Sequence, residues 1–299
     1  MRAVFLVNPA SGNGSTGKKW PKLAARAAEL GLPGEVLFSE RPGHLTELAR
    51  SAAAPDTLLV AVGGDGTLNE VVNGIVGTGT TLAVLPNGTG QDFGRTYGIP
   101  QKFDDAVAVA LNGTARTVDV GKVTFTATDG SRQVRHFASM GSVGMSGAVA
   151  DRANGMSKAL GGKATFYYAL TRVFLAWKNG DVTTRFEGGE RTGLMNNVVV
   201  ANGRYAGGGM MLAPNAVPDD GLFDIVFFGD VSKLDFITTS PKLYGGGHLK
   251  HKKVDVVRSP WIEVESTRPL PIELEGEPSG TTPVRFEIVP AALNVRVPA

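Results

Sequence analysis

The sequence predicts an N-terminal α/β domain built on a parallel sheet, followed by a C-terminal β-sandwich-like domain. Three observations carry that expectation. Up to about residue 119, short apolar runs alternate with amphipathic segments, the pattern of βαβ units. Three of those runs end in polar, glycine-rich loops, at 8–17, 63–67 and 87–90. In a parallel sheet, loops that follow the strands gather at one edge. Beyond that point the texture changes to short alternating segments separated by Gly, Pro and Asp turns, as in an antiparallel sandwich.

Taken in order, residues 2–7 form an apolar strand stopped by Asn8-Pro9. Residues 20–30 have helical periodicity, and Gly31 supplies the C-terminal stop. Residues 35–38 are predicted as strand and 44–54 as helix. Residues 58–62 are a fully apolar strand ending in Gly63-Gly64-Asp65-Gly66. Thr67 and Glu70, three apart before Val71, Val72 and Ile75, have the form of a capping box opening the next helix. Residues 82–85 form another strand, before Pro86-Asn87-Gly88-Thr89-Gly90. The boundary is set at 121/122. Strands are expected at 122–127, 134–138, 182–186, 197–201, 223–228, 261–265, 272–275 and 285–289, with one helix at 165–178. The tail, about 290–299, is a candidate to return to the first domain.

Composition narrows the function classes. The chain has 299 residues, 42% hydrophobic and 19% charged, enough for two cores and typical of a globular protein. No cysteine is present, which excludes disulfides, thiolate metal sites and a cysteine nucleophile. A net charge of +2 gives no global field for nucleic acid. No segment approaches the ~18 apolar residues of a membrane span, and the first apolar run is too short for a signal peptide, so a cytoplasmic location is expected. A homodimer is left open.

The chemistry concentrates in the loops. Three glycines around Asp65 leave the backbone open to a ligand. Strand, glycine turn and helix N-terminus together favour a phosphate, through free N–H groups and the helix dipole. Gly12-Asn13-Gly14-Ser15-Thr16-Gly17 matches a dinucleotide fingerprint on paper, but the tight strand-to-helix turn is missing. It also approaches a P-loop, except that Lys19 stands where magnesium needs a hydroxyl.

The run Gly63 to Glu70 resembles the nucleotide signature of the diacylglycerol kinase catalytic-domain family, which includes sphingosine and ceramide kinases and bacterial soluble lipid kinases. The similarity extends to Asn8-Pro9-Ala10-Ser11-Gly12, to residues 85–95, to 202–210 and to 219–224. The resemblance implies ATP-dependent phosphorylation of a lipid hydroxyl, most simply that of diacylglycerol, by an enzyme peripheral to the membrane during catalysis. By motif position it implies nucleotide contacts at Asn8, Pro9, Ala10, Ser11, Gly12, Ser39, Gly64, Asp65, Gly66, Thr67, Leu68, Asn69, Glu70 and Thr89. It also implies a structural Mg2+ held by the Asp220 carboxylate and the carbonyls of Val217 and Leu222; adjacent aspartates in a glycine turn independently suit a hard cation.

Two departures stand out. Gln91 replaces the family asparagine. Glu275, in Leu274-Glu275-Gly276-Glu277, replaces the aspartate that acts as general base. A glutamate has nearly the same pKa but reaches one carbon further. Strand alternation would put Glu273, Glu275 and Glu277 on one face. The expected catalytic set is Glu275, Asp65 and Glu277, with Mg2+ and Asp65 handling phosphate charge. A helix with Phe166, Tyr167, Tyr168, Leu170, Val173, Phe174, Leu175 and Trp177, and a basic cluster of His248, Lys250, His251, Lys252 and Lys253, are candidates for lipid contact; the helix reads first as ordinary core, and the cluster equally as a solvated loop. Two other functions stay open: an NAD kinase-like enzyme, which shares Gly-Gly-Asp-Gly-Thr, and a catalytically silent nucleotide- or lipid-binding protein.

Overall fold

A computed structural model describes residues 1–88, 90–127, 129–156 and 162–299, with the side chains of 162–167 outside the description. The chain forms two compact units, Met1–Val120 with Pro290–Ala299, and Gly121–Val289.

The first unit runs β1 (Arg2–Val7), α1 (Ser15–Glu29), β2 (Glu35–Phe38), α2 (His44–Ala52), β3 (Thr57–Gly63), α3 (Asp65–Ile75), β4 (Thr81–Pro86), α4 (Asp92–Tyr97), α5 (Phe103–Asn112) and the first half of β5 (Thr114–Thr126). The sheet is parallel in the order β2–β1–β3–β4, and the returning tail adds a further parallel strand through Asn294 and Val295 beside β4. Its central strands are apolar on both faces because helices cover both. Phe5, Val7, Val60, Val62 and Leu85 pack with Trp20, Ala27, Val107 and Ala110 in one core. Val4, Leu6, Leu59 and Ala61 alternate with them and are equally buried. Helix α1 starts at Ser15, earlier than periodicity predicts, and closes as expected at Gly31, whose left-handed backbone lets Leu32 N–H reach Ala27.

The capping box predicted at Thr67 and Glu70 does not form. Glycines at 63 and 64 let α3 begin at Asp65, so Thr67 lies inside the first turn, buried. The Glu70 carboxylate instead accepts from Leu45 N–H at the start of α2 (3.1 Å).

The second unit contains the rest of β5, then β6 (Arg132–Phe137), β7 (Met140–Gly144), α6 (Met145–Asn154), α7 (Gly162–Ala176), β8 (Gly180–Phe186), β9 (Gly189–Met195), β10 (Asn197–Ala201), β11 (Phe223–Phe228), α8 (Lys233–Thr239), two 3-10 turns (Ser240–Gly245 and Gly247–Lys250), β12 (Val254–Ser259), β13 (Trp261–Ser266), β14 (Pro271–Leu274) and β15 (Glu277–Val297), whose last residues form the returning tail. Antiparallel pairing runs β12–β11–β10–β7–β14–β15, and β15 also pairs β13, which continues through β8 to β9. Inward side chains of these strands, among them Phe125, Phe137, Val198, Phe223, Ile262, Ile272 and Phe286, make the sandwich core. Strand β14 ends at Leu274, one residue before the predicted limit, and that single residue changes the site below.

Candidate functional site

In the first unit the loops after β1, β3 and β4 are tied together. Asn8 Oδ1 accepts from Ala10 N–H (3.0 Å), and the Ser11 hydroxyl donates to the Asn8 carbonyl (2.9 Å), so the first loop is rigid through its own polar groups. Asn87 Nδ2 donates to Thr16 Oγ1 (2.8 Å), and Asn87 N–H donates to the Gly63 carbonyl (2.9 Å). Gly88 lies against Gly64 so closely that a Cβ at 88 would sit 2.6 Å from the Gly64 Cα. Ser39 follows β2 at the same strand ends, its N–H donating to the Val7 carbonyl (3.0 Å). Backbone from Asn8, Pro9, Ala10, Ser11, Gly12, Gly64 and Gly66 thus gathers at the carboxyl edge of the sheet. Thr67 and Leu68 are buried, and the Asn69 side chain and carbonyl are taken by Asn73 within α3, while Glu70 ties α3 to α2. Thr89 lies outside the described residues.

Asp65 has a more specific placement than its motif reveals. Its Oδ1 accepts from Asp92 N–H (2.9 Å) and Phe93 N–H (3.3 Å), the first amides of α4. The carboxylate therefore ties the β3–α3 turn to the β4–α4 loop. Burial pushes its pKa up, the negative charge of Asp92 pushes the same way, and the backbone amides oppose both. Gln91 begins this helix in the left-handed region (φ +57°), its Nε2 donating to the Gly88 carbonyl (3.0 Å) while Oε1 is buried without a partner. Asn87, Thr16 and Asp92 were not among the expected site residues. The Pro-Asn-Gly run at a strand end was the available signal for Asn87; Thr16 lies in the Gly12–Gly17 run and Asp92 in the 85–95 segment, and neither pattern singled out the residue.

In the second unit the expectation of three glutamates on one strand face is overturned. Leu274 pairs directly with Glu277, leaving Glu275-Gly276 as a two-residue hairpin loop, both in the left-handed region (φ +53° and +80°). Type I′ hairpins demand this backbone. Glu275 consequently turns off the strand. Its Oε1 accepts from Ala138 N–H (2.8 Å) and Ser139 N–H (2.6 Å), and its own N–H donates to the Met140 carbonyl (2.9 Å). Glu277 is exposed at the start of β15, where it pairs with Leu274. Glu273 is buried. It accepts from the Ser142 hydroxyl (2.8 Å) and from Gly276 N–H (2.6 Å), while burial raises its pKa against those bonds. Glu273 thus holds the Glu275-Gly276 turn from the interior side.

The implied Mg2+ site at Val217, Asp220 and Leu222 does not fit a divalent cation as arranged. The Asp220 carboxylate is ion-paired with Arg258 and accepts from Leu222 N–H (3.1 Å). Arg258 Nε also lies 3.6 Å from the buried Asp224 carboxylate, whose pKa burial raises, with Arg258 opposing the rise. A guanidinium already supplies the positive charge. Among the described residues no group of three or more His, Cys, Asp or Glu side chains is placed to hold a metal. The basic cluster also dissolves in part. His248 is fully buried and stacked on Phe228, and Lys253 and His251 face Asp235, leaving Lys250 and Lys252 exposed. On α7, Ala169 is buried and Phe174 packs on Phe236, whereas Tyr168 and Leu175 are exposed; the side chains of Phe166 and Tyr167 lie outside the described residues.

A parallel-sheet unit with three cross-tied glycine-rich loops, followed by a β-sandwich unit, is the architecture on which the family assignment rests. Residues 2–123 match the diacylglycerol kinase catalytic domain, and residues 139–297 match the YegS C-terminal NAD kinase beta sandwich-like domain. A Pseudomonas aeruginosa PAO1 protein named "Probable lipid kinase YegS-like" is 37% identical over 83% of this chain and 78% of its own length. A Mycobacterium tuberculosis H37Rv "Diacylglycerol kinase" is 28% identical over 99% and 95%. A crystal structure of a diacylglycerol kinase from Bacillus anthracis superposes with a TM-score of 0.73 at 23% identity, covering 99% of this chain and 96% of that one. Yeast NADH kinase shares the fold at a TM-score of 0.52 and 12% identity, covering 100% and 84%. The chain belongs to the diacylglycerol kinase catalytic-domain family, in its form with a YegS-type C-terminal domain.

Proposed function

We propose that the protein transfers the γ-phosphoryl group of ATP to a lipid hydroxyl, with diacylglycerol the favoured acceptor and phosphatidic acid the product. The observation that carries this reading is the cradle of backbone amides at the ends of β1, β3 and β4, fixed by Asn87, Thr16 and Asp65. Phosphoryl transfer depends on positioning and charge stabilisation more than on covalent help from the protein. In the first unit the glycine-lined backbone binds the phosphates, and its rigidity sets their orientation. Asp92, beside Asp65, is ion-paired with Arg95 (3.3 Å), so a guanidinium already offsets part of the negative charge there, and Mg2+ arriving with the nucleotide would neutralise phosphate charge. In the second unit the carboxylate of Glu275, oriented by two amides, accepts the proton of the lipid hydroxyl as the oxygen–phosphorus bond forms and ADP departs. Glu277 has no role in this scheme. No helix among the described residues is long and apolar enough to cross a membrane, which is compatible with an enzyme that reaches lipid from one surface.

Glu275→Gln tests the assignment. Glutamine keeps an oxygen to accept from Ala138 and Ser139 but is a far weaker base. Single-turnover phosphorylation of dioctanoylglycerol should fall about 10²–10⁴-fold with ATP affinity unchanged by calorimetry. An unchanged rate removes Glu275 from this role, and no nucleotide binding in the wild type removes the kinase reading itself.

A further inference from the structure

We propose that Asn202 is a positioning residue for Glu275, holding the peptide group that anchors its carboxylate. The catalytic consequence rests on the reading of Glu275 as general base. The argument begins at a gap in the sheet. Strand β6 ends at Phe137 and β7 begins at Met140, so Ala138 and Ser139 belong to neither strand. Both residues are buried, and their two N–H groups and two carbonyls need partners that the ladders do not supply. The N–H groups both donate to Glu275 Oε1 (2.8 and 2.6 Å). The carbonyls both face the turn after β10. Asn202 Nδ2 donates to the Ala138 carbonyl (2.9 Å), while Asn202 N–H and Gly203 N–H donate to the Ser139 carbonyl (2.9 and 2.8 Å). All four backbone groups are thus shared between one acid and one two-residue turn.

Strand register explains why Asn202 is the residue that does this. Ala201 pairs with Met140 in the β10–β7 ladder, so the next position sets Asn202 opposite Ser139, and its N–H adds one more bond to the ladder. Its side chain then reaches back to the preceding carbonyl. The Ala138 C=O and the Ser139 N–H are the two ends of one planar peptide group. The Asn202 carboxamide holds one end and the Glu275 carboxylate the other. A donor on the carbonyl polarises that peptide and strengthens its N–H toward the acid. Asn202 is fully buried, whereas Glu275 is half-buried, so the anchor is shielded from water and the acid it holds is not. Alanine at 202 would remove the donor to Ala138, and aspartate would set a carboxylate oxygen against that carbonyl. Glu273 fixes the turn independently, through Gly276 N–H (2.6 Å). The turn and the carboxylate therefore have separate supports, and Asn202 belongs to the second. Two donors on one carboxylate oxygen set the direction of the other, and a group that must accept a proton is sensitive to placement at the level of ~1 Å.

Asn202→Ala in the full chain, assayed with ATP and dispersed dioctanoylglycerol, tests the proposal. The kcat should fall about 10–100-fold, the scale of a displacement of up to ~1 Å, with KM and calorimetric affinity for ATP unchanged. Asn196→Ala is the comparison. Asn196 is another buried asparagine of the second unit, its Nδ2 donating to Asn179 Oδ1 (3.1 Å), and its loss should lower the melting temperature while leaving kcat at the wild-type value. In a Glu275→Gln background, Asn202→Ala should cost no further rate, because a residue that acts through Glu275 has nothing left to position. An unchanged kcat for Asn202→Ala, beside an impaired Glu275→Gln, overturns the proposal and leaves the general base standing. A full additional loss in the Glu275→Gln background also overturns it. Glu275→Gln at the wild-type rate defeats the general-base reading instead, and the catalytic role of Asn202 falls with it. Hydrogen exchange in the wild type covers the case in which Asn202→Ala does not fold. The Ala138 and Ser139 amides and the Asn202 carboxamide should be protected together, and carboxamide protons that exchange as fast as those of an exposed side chain overturn the proposal.

Discussion

Glu273 gives the sharpest physical test of the second unit. The residue is 8% exposed, and its carboxyl has the Ser142 hydroxyl and Gly276 N–H as donors. Burial raises its pKa, so the native state holds the proton at pH values where the unfolded chain has released it. The folded pKa lies above the unfolded value of about 4.3. The stability tied to the bound proton is therefore fully present below that value and is lost as pH climbs toward the folded pKa, at about 1.4 kcal/mol per pH unit. Glu273→Gln removes this titration. Glutamine can present its oxygen to Gly276 N–H and its amide to Ser142 Oγ, so both positions stay bonded. The variant should match wild type within about 1 kcal/mol near pH 4.5 and become the more stable protein as pH rises. Glu273→Leu fills the space but leaves Gly276 N–H without an acceptor, at a cost of about 1–3 kcal/mol, with more if the Ser142 hydroxyl cannot turn fully toward Ser146. Urea unfolding from pH 4.5 to 8 at constant ionic strength and equal m values reads both effects. Parallel pH profiles for wild type and Glu273→Gln, or a gap that closes with rising pH, would refute the reasoning.

Three further outcomes follow from the same geometry. Gly88→Ala places a Cβ 2.6 Å from the Gly64 Cα, with backbone on both sides and no side chain to move; ATP affinity by calorimetry should fall at least about tenfold, the equivalent of ~1.4 kcal/mol, and wild-type affinity would show that the loop contact is irrelevant. Asp65→Ala strips the acceptor from two α4 amides and should cost about 1–3 kcal/mol, whereas Asp65→Asn retains an oxygen and should recover most of it; equal melting temperatures for the two variants contradict the tie. His248 is buried, and burial lowers its pKa; a depressed base favours the native state above the unfolded value of about 6.5 and gives up that stability as pH falls through the folded value. His248→Phe, which keeps the ring stack on Phe228, should flatten the acid limb of a melting-temperature profile, and an identical limb would exclude His248 as its source.

The first unit was legible because its strands are buried on both faces. Residues 58–62 are an unbroken apolar run, and the break at Gly63 is unmistakable. Strand β9 was not legible: its sequence GERTGLM is mostly exposed, and its partner β8 decides its pairing. Capping boxes show how context overrules pattern. Ser232 and Asp235 form a true box at α8, with Asp235 accepting from Ser232 N–H (3.0 Å) and the Ser232 hydroxyl accepting from Asp235 N–H (3.1 Å). Thr67 and Glu70 have the same spacing and do not, because the glycine turn starts their helix three residues sooner. In the candidate site, the loops could be read but their ties could not. Asn87 to Thr16 joins residues 71 apart, and Asp65 to Phe93 joins residues 28 apart.

The Glu275 hairpin was hidden for a different reason. Asn-Gly and Asp-Gly announce a type I′ turn, and Glu-Gly does not, since glutamate has little tolerance for the left-handed region. Non-glycine residues with positive φ, among those described, are Asn13, Gln91, Glu275 and Ala291. Three of these four stand in loops that carry candidate site residues, Asn13 and Gln91 in the first unit and Glu275 in the second, and the latter two are the positions that depart from the family pattern. Such backbone costs of order 1–3 kcal/mol at each residue and persists only where surrounding contacts fix it. At Glu275 the contacts are visible: two amides on the carboxylate, Met140 on its N–H, and Glu273 behind Gly276. A longer acid in the turn is thus matched by groups set at its own reach. Local preference and fold disagree at this position, and such conflicts are expected where function rather than stability has selected the residue. Asp65 shows the converse. Its conformation is ordinary and helical, and its carboxylate holds two loops together, so its motif marks the architecture of the loop cluster as much as any chemistry there.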